Sequence, residues 1–225
     1  MSKPILFHMD LSPPSRFAVM TAQHIGLEVE IRRIDLWNGD AMTPEFIAIN
    51  PTKTVPALVD DDLNVFDSCA ISIHLVEKYA KEDSLYPKDL NLRAKVSERL
   101  FYVASYIFPR LYQILVPIFV RGETGVPKVQ LDEMLRGYGE IESFLSGRDY
   151  LASNTLTLPD LYLWSIMESL LPLIPIDSEK FPNFDRWLTR MREDPSYEFN
   201  WKGADEHIKV FKHSIEENRK VAKQN

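Results

Sequence analysis

The chain has 225 residues, 45% hydrophobic and 26% charged, the balance of an ordinary globular protein of one large domain or two smaller ones. Its net charge of −7, with no Lys/Arg cluster, speaks against a nucleic-acid partner, because phosphate binding needs a concentrated positive footprint; a small anion held by one or two cations stays open. The lone cysteine, Cys69, excludes an intrachain disulfide framework, and neither a secretion signal nor an apolar run near the roughly 18 residues of a membrane span is apparent, so a cytoplasmic protein with no membrane partner is expected.

Residues 4–8 (PILFH) read as a short strand, and Ser12-Pro13-Pro14 opens a helix over about 13–26, stopped by Gly26. Residues 28–34 alternate apolar and polar, the period of a half-buried strand, so the first three elements suggest a right-handed parallel unit. Thr43 and Pro44 open a short helix over 43–49, strands at 56–59 and 63–66 flank the turn Asp60-Asp61-Asp62, and Asp67-Ser68 starts a helix to about Tyr79. The order is β-α-β-α-β-β-α. A polar stretch with a proline, SLYPKDLN, then reads as a linker, and only helical patterns follow, at about 91–120, 128–146, 157–171, 181–193 and 205–221. Thr157 with Asp160 fits a capping box and is read as structural. The division is an α/β domain over 1–82, a linker over 83–90 and an all-helical domain over 91–225.

Five stretches carry a family resemblance: LSPPSR (11–16), NPTKTVPAL (50–58), DSCAI (67–71), SLYPKD (84–89) and LTLPDL (156–161). In this order and spacing they resemble cytosolic glutathione transferases, specifically the insect delta/epsilon group and closest to epsilon. The resemblance covers essentially the whole chain. It implies a thioredoxin-like N-terminal domain, an all-α C-terminal domain, a homodimer, glutathione as cosubstrate, no metal, and a role in detoxification of xenobiotics.

The residues permit that chemistry. A free thiol titrates near pH 8.5, and lowering it by two units takes about 2.7 kcal/mol. A hydrogen bond to an anion contributes about 1.5–3 kcal/mol and a helix N-terminus about 0.3–1 kcal/mol. Ser12, before two prolines without N–H groups, can accept from the N–H of Ser15 and still donate its proton to sulfur. Read alone, Ser12 is more often only a cap; with the resemblance it is the catalytic hydroxyl.

The resemblance further implies that Lys53, Thr54, Val55, Pro56, Asp67, Ser68 and Cys69 bind glutathione. Asp67 would meet the ammonium and Ser68 the carboxylate of the γ-glutamyl unit, Val55 would pair through its backbone before a cis Pro56, and Lys53 would meet the glycyl carboxylate. Three positions depart from the group: Lys53 stands where His is usual, Ala41 replaces a His, and Cys69, a weak donor that can instead pack under its helix, replaces a His or Arg. Fewer cationic contacts predict weaker glutathione binding.

The helix over 91–120 carries Phe101, Ser105, Phe108, Tyr112, Leu115 and Phe119 on one face; Phe101 is assigned to core or dimer packing. By resemblance Leu11, Pro13, Phe108, Tyr112, Leu115, Val116 and Phe119 line the second-substrate pocket, and His207 and Phe211 close it. Tyr112 and Val116 replace the Arg and acid common in epsilon relatives, which implies a pocket for large apolar electrophiles; whether Arg110 restores the charge is open. Pro109 and Pro117 are expected to kink the helix. Conjugation is the first reading, with peroxidase or dehydrohalogenase side activity from the same thiolate. The alternative is a carrier of apolar hormones, pigments or odorants on this fold. A thioredoxin-type redox protein fails for lack of a C-x-x-C motif.

Overall fold

Pro13 and Pro14 bring the fixed φ of a helical first turn to positions where no N–H is needed. In the computed structural model, which describes residues 2–224, they open α1 (Pro13–His24) with Ser12 as N-cap. Helix α1 connects β1 (Ile5–His8) to β2 (Glu30–Arg33), which run parallel with Ile5 opposite Glu30. Thr43 caps α2 (Pro44–Ile49), which leads to β3 (Ala57–Asp60), antiparallel to β1. A hairpin follows to β4 (Leu63–Phe66), then α3 (Ser68–Tyr79). The sheet order β2-β1-β3-β4 is the thioredoxin-like arrangement expected. Leu6, Ala18, Val19, Leu58, Ile71 and Leu75 fill the space between the sheet and the pair α1 and α3; a smaller cluster with Phe7, Ala41 and Phe46 packs on the other face.

Among the described residues only helices follow. α4 (Leu90–Tyr102), a π-helical stretch Val103–Ile107 and α5 (Phe108–Arg121) form one continuous rod. Pro109 has no N–H for the carbonyl four residues back, and the ladder is widened just before it, where the Phe108 N–H reaches the Val103 carbonyl. By length and composition this rod is apolar enough to cross a membrane, which corrects the sequence reading that no such run exists. Its apolar residues have work inside the fold: Val96, Leu100, Val103, Ile107, Leu111, Ile114 and Ile118 belong to the main core.

α6 (Lys128–Phe144), α7 (Leu158–Leu170) and α8 (Pro182–Met191) complete that core around Tyr138, Trp164 and Trp187. The capping box at Thr157 and Asp160 is present. α9 (Tyr197–Ala222) begins eight residues earlier than the expected start at 205, because the buried face of its first turns is Asn200, Gly203 and Ala204 rather than a large apolar stripe. α1 packs against α3 on one side and against α7 and α9 on the other, so the first helix sits between the two halves.

Candidate active site

Ser12 lies at the junction of β1 and α1. Its Oγ accepts from the Ser15 N–H at 3.4 Å, its own N–H donates to Met9 at 3.0 Å, and its carbonyl accepts from Arg16 at 3.0 Å. The hydroxyl donates to no group among the described residues, so its proton is available to a ligand.

The loop ahead of Ser12 is held by a buried cation, Arg16, whose role the sequence alone does not reveal. Arg16 is fully buried, and all five of its N–H groups are used. Nε donates to Asn200 Oδ1 at 2.9 Å, one terminal nitrogen to the carbonyls of Asp10 and Leu11 at 3.0 Å each, and the other to the Ser165 carbonyl at 2.6 Å and Ser169 Oγ at 2.8 Å. Burial pulls its pKa down to about 9, with Glu168 and Asp10 opposing, so it stays charged at neutral pH. Asp10 also bridges His8 Nε2 at 2.9 Å and Arg33 Nε at 3.0 Å. Burial pushes the Asp10 carboxyl up, and the hydrogen bonds from Arg33 and His8 outweigh it and hold the carboxyl below its ordinary range. The catalytic candidate is thus fixed by α7 and α9 as well as by its own helix.

The positions expected to bind glutathione cluster at the adjoining end of the sheet. Asp67 caps α3 through Oδ1, which accepts from Cys69 at 2.9 Å and Ala70 at 3.1 Å. Its Oδ2 has no partner among the described residues, and its φ of 77° is a left-handed value that a non-glycine residue holds at a cost. Ser68 follows as the first residue of the helix. The Val55–Pro56 bond is cis, the Val55 side chain is buried, and neither main-chain group of Val55 is paired among the described residues. An extended peptide laid antiparallel against Val55 would pair them. Lys53 is exposed in a tight turn with φ of 60°.

Two expectations in this cluster change. The side chain of Cys69 packs in the main core and its N–H serves Asp67, so it makes no contact surface for a ligand; burial, then the Asp67 charge, push its thiol pKa well up. The Thr54 carbonyl accepts from Asn50 Nδ2 at 2.8 Å, its hydroxyl oxygen accepts from the same amide at 3.3 Å and shares a hydrogen bond with the Thr52 hydroxyl, and so Thr54 shapes the turn. Fully buried Asn50, which the sequence reading passed over, pins this turn from within.

Ser12 opens on a cavity of about 550 Å³ between α1, α5 and α9. Leu11, Pro13, Phe108, Tyr112, Leu115, Val116, Phe119 and His207 all line it. Phe211 does not: it is buried behind the wall with its ring 5.7 Å from that of Phe119. The reading missed Leu36 and Trp37, which approach from the loop after β2, and Val210 and Ser214 from α9. Arg110 restores no charge to the cavity, since it pairs with Glu133 at 3.0 Å and lies over the Tyr106 ring.

Residues 3–77 match the family described as Glutathione S-transferase, N-terminal domain, and residues 104–195 the corresponding C-terminal domain. The chain is 36% identical to Glutathione S-transferase D7 of Drosophila melanogaster over 87% of each chain. Among solved structures it resembles a glutathione transferase homolog from Drosophila mojavensis with bound glutathione (TM-score 0.91, 36% identity, 95% of this chain and 98% of that one). It equally resembles an epsilon-class glutathione S-transferase from the housefly, Musca domestica (TM-score 0.91, 36% identity, 94% and 98%).

Proposed function

The chain belongs to the glutathione S-transferase family, and from that premise we propose that Ser12 holds the sulfur of glutathione as a thiolate for attack on bulky apolar electrophiles. One observation carries this reading: the Ser12 hydroxyl, already accepting from Ser15, opens with its proton free on a largely apolar cavity. One such donor contributes about 1.5–3 kcal/mol to the anion, of the order of the roughly 2.7 kcal/mol that two pKa units need. Because Pro13 and Pro14 have no N–H, the hydroxyl matters more than the helix dipole. The nucleophile belongs to the cosubstrate, so no base on the protein is required.

In this reading residues 1–82 bind glutathione, 83–90 join the halves, and 91–225 supply the cavity's far wall. Val55 takes the peptide by its backbone, Asp67 Oδ2 meets the ammonium, Ser68 the carboxylate at the start of α3, and Lys53 the glycyl carboxylate. The apolar lining, with Tyr112 and Val116 in place of charges, supports hydrophobic second substrates. Exposed Phe101 on α4 and Phe66 on the edge strand β4 support a homodimer, and the free thiol of Cys69 supports a cytoplasmic location.

Ser12→Ala tests the assignment: turnover should fall by about ten- to a hundredfold while glutathione still binds. Retained turnover overturns it. The size of the apolar cavity also favours a carrier role; binding of a fluorescent apolar probe alongside negligible wild-type conjugation would decide for that reading.

A further inference from the structure

One buried polar side chain on the cavity wall has no task in the thiolate chemistry. His207 lies on α9 one turn beyond Gly203, which packs against the Asp10 backbone, so the imidazole and the Ser12 hydroxyl open on the same cavity. The residue is 8% exposed, Nδ1 is sealed without a partner, and Nε2 has no hydrogen bond among the described residues. A buried imidazole left unpaired is costly unless a ligand completes it. Burial, then the Arg16 charge, lower its pKa to about 4, so the ring is neutral at neutral pH and carries one N–H. Only Nδ1 is sealed, and a sealed N–H without an acceptor is a rarer orphan than a bare nitrogen, which puts the proton on Nε2, the accessible nitrogen of a residue that lines the cavity. Other donors on the lining are engaged or peripheral: the Ser214 hydroxyl donates to the Val210 carbonyl at 3.1 Å, and Tyr112 and Trp37 are 58% and 65% exposed.

We propose that His207 donates a hydrogen bond to the carbonyl oxygen of the second substrate, so that this cavity selects α,β-unsaturated ketones and aldehydes with apolar bodies over electrophiles that lack an acceptor. The proposal rests on Ser12 holding the thiolate. In the step, sulfur bonds to the β-carbon, the C=C pair moves to form the enolate, and negative charge gathers on the oxygen that meets Nε2–H. The α-carbon then takes a proton from water, balancing the proton the thiol released, and nothing is oxidised or reduced. The hydrogen bond strengthens as charge develops, so its effect falls on kcat more than on KM.

The test compares kcat/KM for benzylideneacetone with that for benzyl chloride in wild type, His207→Leu, His207→Gln and His207→Asn. His207→Leu should lower the ketone-to-halide ratio by about tenfold or more. His207→Gln, whose amide reaches the Nε2 position, should recover most of it, and His207→Asn should not. An unchanged ratio in His207→Leu, or equal recovery by Gln and Asn, overturns the proposal; if the Leu variant does not fold, the Gln and Asn pair carries the same comparison. A binding arm separates this from the Ser12 reading: wild type should bind unreactive benzylacetone about tenfold tighter than butylbenzene by probe displacement. Equal binding overturns the His207 assignment whatever the turnover. The ketone preference without turnover of either electrophile refutes the Ser12 thiolate instead.

Discussion

The carbonyl oxygen of Asp10 lies 2.3 Å from the position a Cβ on Gly203 would take. The obstacle is backbone, not a side chain that can swing away, and Arg16 Cδ stands 2.6 Å from the same point. Gly203→Ala must therefore shift α9 or the loop carrying Ser12. The expected destabilisation is about 1–3 kcal/mol, the range for overpacking. Because Asp10 is two residues before Ser12, kcat should fall more than KM for glutathione rises. Denaturant unfolding with steady-state kinetics checks this; a variant equal to wild type in both would show that the contact relaxes freely.

Arg16→Lys preserves the charge and removes the fork. Five N–H groups become three on a flexible stem, and carbonyls of Asp10, Leu11 and Ser165 compete for them. Leaving buried acceptors unpaired costs about 1–3 kcal/mol each, so a loss of roughly 3 kcal/mol is expected in urea unfolding. In the folded fraction, the thiolate absorbance of bound glutathione should titrate at higher pH than in wild type, since the hydroxyl of Ser12 is no longer fixed. A stability loss with an unmoved thiol titration would make Arg16 a purely structural residue.

The N-terminal half was readable because its signals are local: Ser12 before two prolines, Thr43 before Pro44, the Asp60-Asp61-Asp62 turn, and Asp67 before an apolar helix each act within four residues. Helical spacing puts Phe108, Tyr112, Leu115 and Phe119 on one face, but only the family resemblance assigns that face to a cavity. What escaped lies where contact is made by small or polar groups across long sequence separation. Asn200 and Gly203 form the buried face of early α9 and show no apolar period, so that part of the helix was missed. Arg16 looks like a surface cation in sequence, and only its partners on α7 and α9 explain its burial. Leu36 and Trp37 reach the cavity from a loop, where no periodicity exists to reveal a face.

Ser12→Ala should also change the pH dependence of kcat/KM. On the proposed role the hydroxyl lowers the thiol pKa, and wild type should then keep thiolate below the ordinary range near 8.5. The variant should move the rising limb upward by about 1–2 units. The deficit is then largest near neutrality and shrinks as pH approaches the free thiol value. A deficit constant with pH would assign Ser12 to transition-state contacts rather than to ionisation.

Phe101 is 57% exposed on α4 and has no place in the core of the monomer. The proposed homodimer would cover it. Phe101→Glu should weaken association by tenfold or more, about 1.4 kcal/mol or above, as measured by sedimentation equilibrium. Monomer stability should change little, because the side chain has no place in the monomer core. Association as tight as in wild type would exclude Phe101 from any interface between copies of the chain.

Asp160 tests how the helical half is held. It is fully buried, and four donors converge on it: the N–H of Leu151 at 2.8 Å and Trp187 Nε1 at 3.0 Å on Oδ1, the N–H of Thr157 at 3.1 Å and its hydroxyl at 2.8 Å on Oδ2. An amide cannot accept on both sides, and in Asp160→Asn the NH2 group faces the Thr157 N–H. The expected loss is about 2–4 kcal/mol in urea unfolding at pH 7. The pH dependence has a definite sign. Burial raises the Asp160 pKa to about 6, with the hydrogen bonds opposing. A raised acid binds its proton more tightly folded than unfolded, so its contribution to stability is greatest below the unfolded value near pH 4 and declines as pH climbs to about 6. Asparagine does not titrate. The gap between wild type and variant should therefore be wider at pH 4.5 than at pH 7. A gap that widens with pH would mean that the four donors outweigh burial and hold the carboxylate below its ordinary range.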